Sequence, residues 1–216
     1  AMSTAPFALV AGDVSLVRAL GRMHIPVVVA THSRIAPAAR SRFVRGVVRV
    51  PSFLDDPDGA VDALAAWAAA QAAPPVVFYG DDAALLALSR RRVRITPHAH
   101  LVLPAAALVD DLLDAPRFAA LAARLDLPVP RTLVVRRDGV DPLPAWDAFP
   151  CLVKPARSAS AARIDDRAAL EGAVGDALAT GDCVVQAVVE GGEERMLSYH
   201  AYVRADGSIA AELTGR

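Results

Sequence analysis

The 216-residue, 22.6 kDa chain carries 23 Lys plus Arg against 24 Asp plus Glu, a formal charge of -1, so no net field is available to hold a nucleic acid by counterion release. With 54% hydrophobic residues, 22% charged residues and a mean hydropathy of +0.35, the chain has too much apolar surface to stay disordered, and its length suits one large domain or two small ones. The most apolar stretch, residues 60–78, is interrupted by Asp62, Gln71 and Pro74-Pro75, which argues against a membrane-spanning helix.

At the N-terminus, Ala1 ahead of Met2 reads as a cloning remnant, and no basic export signal is visible, so a cytoplasmic location is expected. Residues 7–11 read as a buried strand, Gly12-Asp13 as a turn and residues 14–20 as a helix with apolar side chains at helical spacing. Further strands are predicted at 25–30, 47–50, 76–79 and 101–103, and helices at 57–73 and 81–92. Short apolar strands alternating with helices imply a parallel sheet covered on both faces, because right-handed crossovers put the helices there.

The character changes after about residue 105. Helices are predicted at 106–113 and 116–125, the second ended by Pro128 and Pro130. A strand at 132–136, a Pro- and Asp-rich loop to Pro150, a strand at 151–154, a polar stretch at 157–162, a helix at 167–179 and a strand at 183–189 follow. Strands at 196–204 and 209–213 flank Asp206-Gly207, a hairpin signal. The pattern divides the chain into an α/β Rossmann-like domain, 1–105, and an α+β domain, 106–216, with no internal repeat.

Cys151 and Cys183 sit in short apolar runs without neighbouring Cys or His at ligand spacing, so they are expected as buried reduced thiols and not as zinc ligands. Of the 23 basic residues, 22 are Arg, and Lys154 is the only lysine. A composition that uses Arg wherever a solvated cation will do points, at its one exception, to a site needing a compact ammonium on a flexible stem. The plainer reading is a strand-end lysine reaching to solvent. Asp81-Asp82 after the strand at 76–79 can contact a ligand or, with better odds, cap the following helix. Arg90-Arg91-Arg92 reads as a solvated helix end that complements the helix dipole. His24, His32, His98 and His100 show no ligand spacing, and His200 alternates with Tyr199 and Tyr202 in a strand. Gly12-Asp13 lacks the later glycines of a dinucleotide fingerprint, which disfavours NAD.

Asp126-Leu127-Pro128-Val129-Pro130-Arg131-Thr132, Phe149-Pro150-Cys151-Leu152-Val153-Lys154-Pro155 and Cys183-Val184-Val185-Gln186-Ala187-Val188-Val189-Glu190-Gly191-Gly192 follow one another in an order and spacing that resembles ATP-grasp ligases. Ser198-Tyr199-His200-Ala201-Tyr202 and Leu213-Thr214-Gly215-Arg216 extend the likeness, and the first half is similar to the Rossmann-like domain that precedes ATP-grasp domains. The resemblance implies ATP as cofactor, with Lys154 on its α- and β-phosphates. It implies that the carbonyl of Ala187 accepts from the adenine amine, that the amide of Val189 donates to the ring, and that Gln186 adds a side-chain contact. Glu193, or Glu194 beside it, falls where the family places a carboxylate on the ribose; singly, either acid reads equally well as part of a solvated turn.

The sequence departs from the family at Ala115-Pro116, where a second phosphate lysine is common; the cation is either replaced by an arginine such as Arg117 or lost. Residues 156–162 stand where a loop folds over the phosphates, yet contain no glycine. The family's Mg²⁺ ligands lie well beyond Thr214-Gly215-Arg216, so the C-terminal part of the ATP-grasp domain is expected to be absent, and this chain alone is not expected to catalyse. The resemblance implies an ATP-dependent carboxylate–amine (or thiol) ligase working through an acyl-phosphate, with small-molecule carboxylate and amine substrates. The alternatives are a non-catalytic nucleotide-binding or interaction module with a degenerate site and, less favoured, a Rossmann-like enzyme with an appendage. Neither substrate is legible, and homodimerisation is left open.

Overall fold

Runs of Val, Leu and Ala too short for helices and bounded by Gly, Pro and Asp make buried strands, and the aspartates at their ends start the helices that follow. The computed structural model describes residues 6–138, 145–157 and 160–216, without the side chain of Glu193. The chain divides into two compact units, Ala1–Phe118 and Ala119–Arg216.

In the first unit the order of elements is β1 (Ala8–Ala11), α1 (Val14–Arg22), β2 (Val27–Thr31), a 3-10 turn (Ala38–Arg40), β3 (Val44–Arg49), α2 (Pro57–Ala69) and β4 (Val76–Tyr79). Then come α3 (Asp82–Arg90), α4 (Arg92–Ile95), β5 (His100–Leu101), α5 (Ala106–Leu112) and α6 (Ala115–Arg124), the last crossing into the second unit. All five strands are parallel in the order β3-β2-β1-β4-β5. Alternation along β1 sends Ala8 and Val10 to one face, against Val17 of α1, and Leu9 and Ala11 to the other, where Leu64 of α2 and Leu88 of α3 close the core. This is the predicted doubly covered α/β sheet.

Asp13, Asp56 and Asp81 cap α1, α2 and α3, accepting backbone N–H bonds at 2.8–3.2 Å, so Asp81 serves as a helix cap. Arg90 to Arg92 do not form a merely solvated helix end. Arg90 pairs with Asp110 of α5 and Arg91 with Asp58 of α2, both at 2.7 Å, while Arg92 donates to the carbonyls of Ser89 and Pro104. The sheet order reverses direction between β1 and β4, and Gly12 and Gly80, just beyond these strands, nearly touch there. A Cβ on Gly80 would lie 2.9 Å from Gly12 Cα, and one on Gly12 would lie 3.1 Å from Gly80 N.

The second unit contains a four-stranded antiparallel sheet in the order β6-β9-β7-β8, built from β6 (Thr132–Val135), β7 (Cys151–Pro155), β8 (Ala162–Ile164) and β9 (Cys183–Ala187). Helix α7 (Arg167–Thr180), capped by Asp166, covers one face, burying Leu170, Val174 and Ala177 against Val135, Cys151, Val153, Cys183 and Val185. Both thiols are fully buried in this layer, which pushes their pKa values up. Beyond β9 a 3-10 turn (Glu193–Arg195) leads to the predicted hairpin of β10 (Ser198–Val203) and β11 (Ile209–Gly215), whose turn carries Gly207 at φ 83°. No helix among the described residues is long and apolar enough to cross a membrane.

Candidate functional site

Because strand side chains alternate, a sheet whose one face is closed by α7 presents a second set of residues on the other. On β6, β9 and β7 that set is Thr132, Gln186 with Val184, and Leu152 with Lys154, and Arg163 of β8 shares the face through its pairing with Leu152. Thr132 lies directly opposite Gln186, while Lys154 stands opposite Val184 and diagonal to Gln186.

The register produces a directed chain of hydrogen bonds. Lys154 Nζ donates to Gln186 Oε1 at 2.8 Å, Gln186 Nε2 donates to Thr132 Oγ1 at 3.0 Å, and Thr132 Oγ1 donates to the carbonyl of Pro130 at 2.8 Å. An ammonium has donors only, so the amide oxygen of Gln186 must face Lys154 and its nitrogen must face Thr132; the whole relay has a single polarity. All three side chains are half-buried, and no carboxylate pairs with Lys154 among the described residues. One of its three N–H groups goes to Gln186, leaving two for an external acceptor.

The sequence-predicted residues divide into three groups. Lys154 and Gln186 are brought into contact, and Ala187 follows as the last residue of β9, its amide bound to the carbonyl of Arg131 at 2.9 Å. The next amide, that of Val188, donates to the carbonyl of Pro150 at 3.2 Å. Val189 is 69% exposed, and its N–H has no protein acceptor among the described residues. Glu194 sits in the exposed 3-10 turn, its carboxylate folded against Gly192 and its carbonyl accepting from Arg216 Nε at 3.1 Å; the side chain of Glu193 lies outside the described residues. Among the described residues no hydrogen bond joins this turn to Lys154 or Gln186.

Arg117 does not stand as a spare cation. Its guanidinium binds Asp111 at 2.8 Å, and that hydrogen bond holds the arginine's pKa up. Thr132 and Arg163 are the polar members of the open face that the sequence did not single out. The signal for Thr132 is the strand pairing itself, since only its register opposite Gln186 distinguishes it from other strand threonines. Arg163 lies on the strand beside Lys154, in a loose 3.4 Å pair with Asp165. Among the described residues no group of three His, Cys, Asp or Glu is placed to hold a metal ion.

No protein-family model and no curated protein matches the chain. Solved structures do. Over 98% of its length the chain superposes on 50% of an L-amino acid ligase from Bacillus licheniformis, with a TM-score of 0.74 and 16% identity. It matches N5-carboxyaminoimidazole ribonucleotide synthetase from Thermus thermophilus with a TM-score of 0.68 and 21% identity, covering 94% of this chain and 52% of that one. The biotin carboxylase domain of the Hydrogenobacter thermophilus 2-oxoglutarate carboxylase, solved with MgADP, ADP and bicarbonate, gives a TM-score of 0.56 at 16% identity, over 85% of this chain and 44% of that one. The chain thus spans about half the length of these solved structures. Its fold is that of the N-terminal half of ATP-grasp ligases, a Rossmann-like parallel sheet followed by the opening part of the ATP-grasp domain.

Proposed function

We propose that the open face of the β6-β9-β7-β8 sheet binds the adenine nucleotide of ATP and that the chain is the nucleotide-binding part of a carboxylate–amine ligase. The observation that carries this reading is the relay from Lys154 through Gln186 to Thr132, which holds the chain's single lysine, half-buried, on the face opposite α7 with two donors to spare. Lys154 meets the α- and β-phosphates. The carbonyl of Ala187 and the unengaged amide of Val189 read the adenine edge, and Glu193 or Glu194 takes the ribose hydroxyls. Arg163, a diagonal neighbour of Lys154 across β7 and β8, takes the place of the lysine absent at Ala115.

In the reaction a carboxylate oxygen attacks the γ-phosphorus, and the bond to the ADP oxygen breaks. The amine nitrogen then attacks the acyl carbon, inorganic phosphate leaves, and the nitrogen loses a proton. Mg²⁺ accompanying ATP would supply charge neutralisation at the phosphates. A second reading, a nucleotide-binding module without turnover, is favoured by one observation: Ala115 replaces a lysine and nearby Arg117 is tied to Asp111.

Backbone amide NMR of the chain titrated with ATP tests the binding reading. Shifts are expected at Thr132, Lys154, Gln186 and Val189; a titration that moves only resonances of the first unit would overturn it. Formation of ADP, screened over carboxylates paired with amines, separates the ligase from the module.

A further inference from the structure

The near-zero net charge conceals a segregation. Residues 14–54 contain seven arginines and no aspartate or glutamate. The fold gathers four of them, Arg18, Arg22, Arg40 and Arg42, around one open cleft of about 600 Å³ between α1 and the segment leading into β3. Arg18 and Arg22 are one helical turn apart on α1, so they project from the same side. Arg40 ends the 3-10 turn on the opposite wall, and the guanidinium of Arg42 sits 4.9 Å from the ring centroid of Phe43. That ring is seated directly on the α1 backbone, where a Cβ on Gly21 would come within 2.3 Å of it. Ile35, 72% exposed, adds a second apolar surface.

Elsewhere in this unit Arg90, Arg91, Arg94 and Arg117 each bind an aspartate at 2.7–2.8 Å, and Arg49 and Arg92 donate to backbone carbonyls. The four in the cleft have no carboxylate partner among the described residues. Like charges one turn apart oppose each other, and walls of a single sign focus the field on whatever enters.

We propose that this cleft is a binding site for a small organic anion carrying at least two phosphate groups, with its apolar part against Phe43 and Ile35. Planar guanidinium forks match phosphate oxygens two bonds at a time. The volume lies in the small-molecule range of roughly 300–1,000 Å³. A single carboxylate would leave most of the guanidinium groups unanswered, and a two-fold copy of the chain would bring arginine against arginine. The site lies in the first unit and does not depend on the reading of Lys154.

The test is calorimetric titration at low salt with pyrophosphate and with geranyl diphosphate, the second adding an apolar tail to the same anion. Both should bind the unmodified chain, geranyl diphosphate more tightly. The exposed pair Arg22→Ala/Arg40→Ala should weaken both by about tenfold or more, the scale of hydrogen bonds to charged groups. Arg34→Ala/Arg45→Ala, drawn from the same acid-free segment but outside the cleft, should change little, with thermal melts showing that each variant is folded. Equal losses in the two double variants would reveal a diffuse field and overturn the site. So would an absence of binding, or no preference for the apolar tail.

Discussion

Replacing the only lysine isolates the charge from the rest of the binding face. Lys154→Met keeps the length and apolar stem of the side chain but removes the ammonium and with it the 2.8 Å bond to Gln186. Two effects must be separated. For the folded chain, Gln186 loses one donor on a half-buried face that water can reach, while its bond to Thr132 remains, so stability should fall by no more than about 0.5–1.5 kcal/mol. For the nucleotide, a hydrogen bond from the Lys154 ammonium to a phosphate oxygen is lost. A hydrogen bond to a charged group contributes about 1.5–3 kcal/mol, which converts at about 1.4 kcal/mol per decade into a weakening of ATP binding by about tenfold to 150-fold. Because the lost partner is phosphate, adenosine affinity should stay the same, and the ratio of ATP to adenosine affinity is the diagnostic quantity. Calorimetry on both ligands, with a thermal melt of the variant, measures it. An ATP dissociation constant unchanged within threefold in a folded Lys154→Met chain would refute the reasoning, as would a parallel loss for adenosine.

Further outcomes follow from packing and charge. The hydrogen bond from Arg91 lowers the Asp58 carboxyl to about 2, with Arg94 adding to the pull against desolvation. A depressed carboxylate stabilises the fold above its unfolded value near 4 and loses that contribution as the pH falls through about 2. The acid limb of a pH-denaturation curve between those values should therefore flatten in Asp58→Asn and in high salt, as read by circular dichroism. A chain ending at residue 118 should be more stable than one ending at 105, since α5 buries Val109 and supplies Asp110 to Arg90; a thermal melt should separate them by about 1.5–3 kcal/mol from Val109 alone. Gly21→Ala forces Phe43 off α1 and should destabilise by about 1–3 kcal/mol in urea titration.

The two layers of the fold differ in how legible they were. The β1, β2 and β4 runs are apolar on both faces, so composition alone marks them. β3 alternates half-buried with exposed residues through Arg45 and Gly46, and only its last residues look like a strand; its start at Val44 is set by pairing with β2. β8 has no apolar run at all: Ala162, Arg163 and Ile164 become a strand because Cys151, Leu152 and Val153 offer an edge. The predicted helix at 81–92 breaks at Arg91, whose φ of -113° leaves the helical region. For the site, Lys154 was conspicuous by composition, whereas Thr132 joins it only through a contact between residues 54 positions apart. The arginine cleft was hidden for another reason: a whole-chain charge averages over segments that the fold keeps apart.

The near-contact of Gly12 and Gly80 makes their tolerance to change a joint property. Either Gly→Ala substitution alone must move one loop away from the other, and the displaced loop carries the start of α1 or of α3 with it. Once the gap has opened for the first methyl, the second finds part of its room already made, so the cost of the pair should fall short of the sum of its parts. A survey of single substitutions would score each position as closed, although the barrier belongs to the gap between them. Sequences that changed both would have to pass through a less stable intermediate, which is epistasis written by two backbones that lie too close for a side chain.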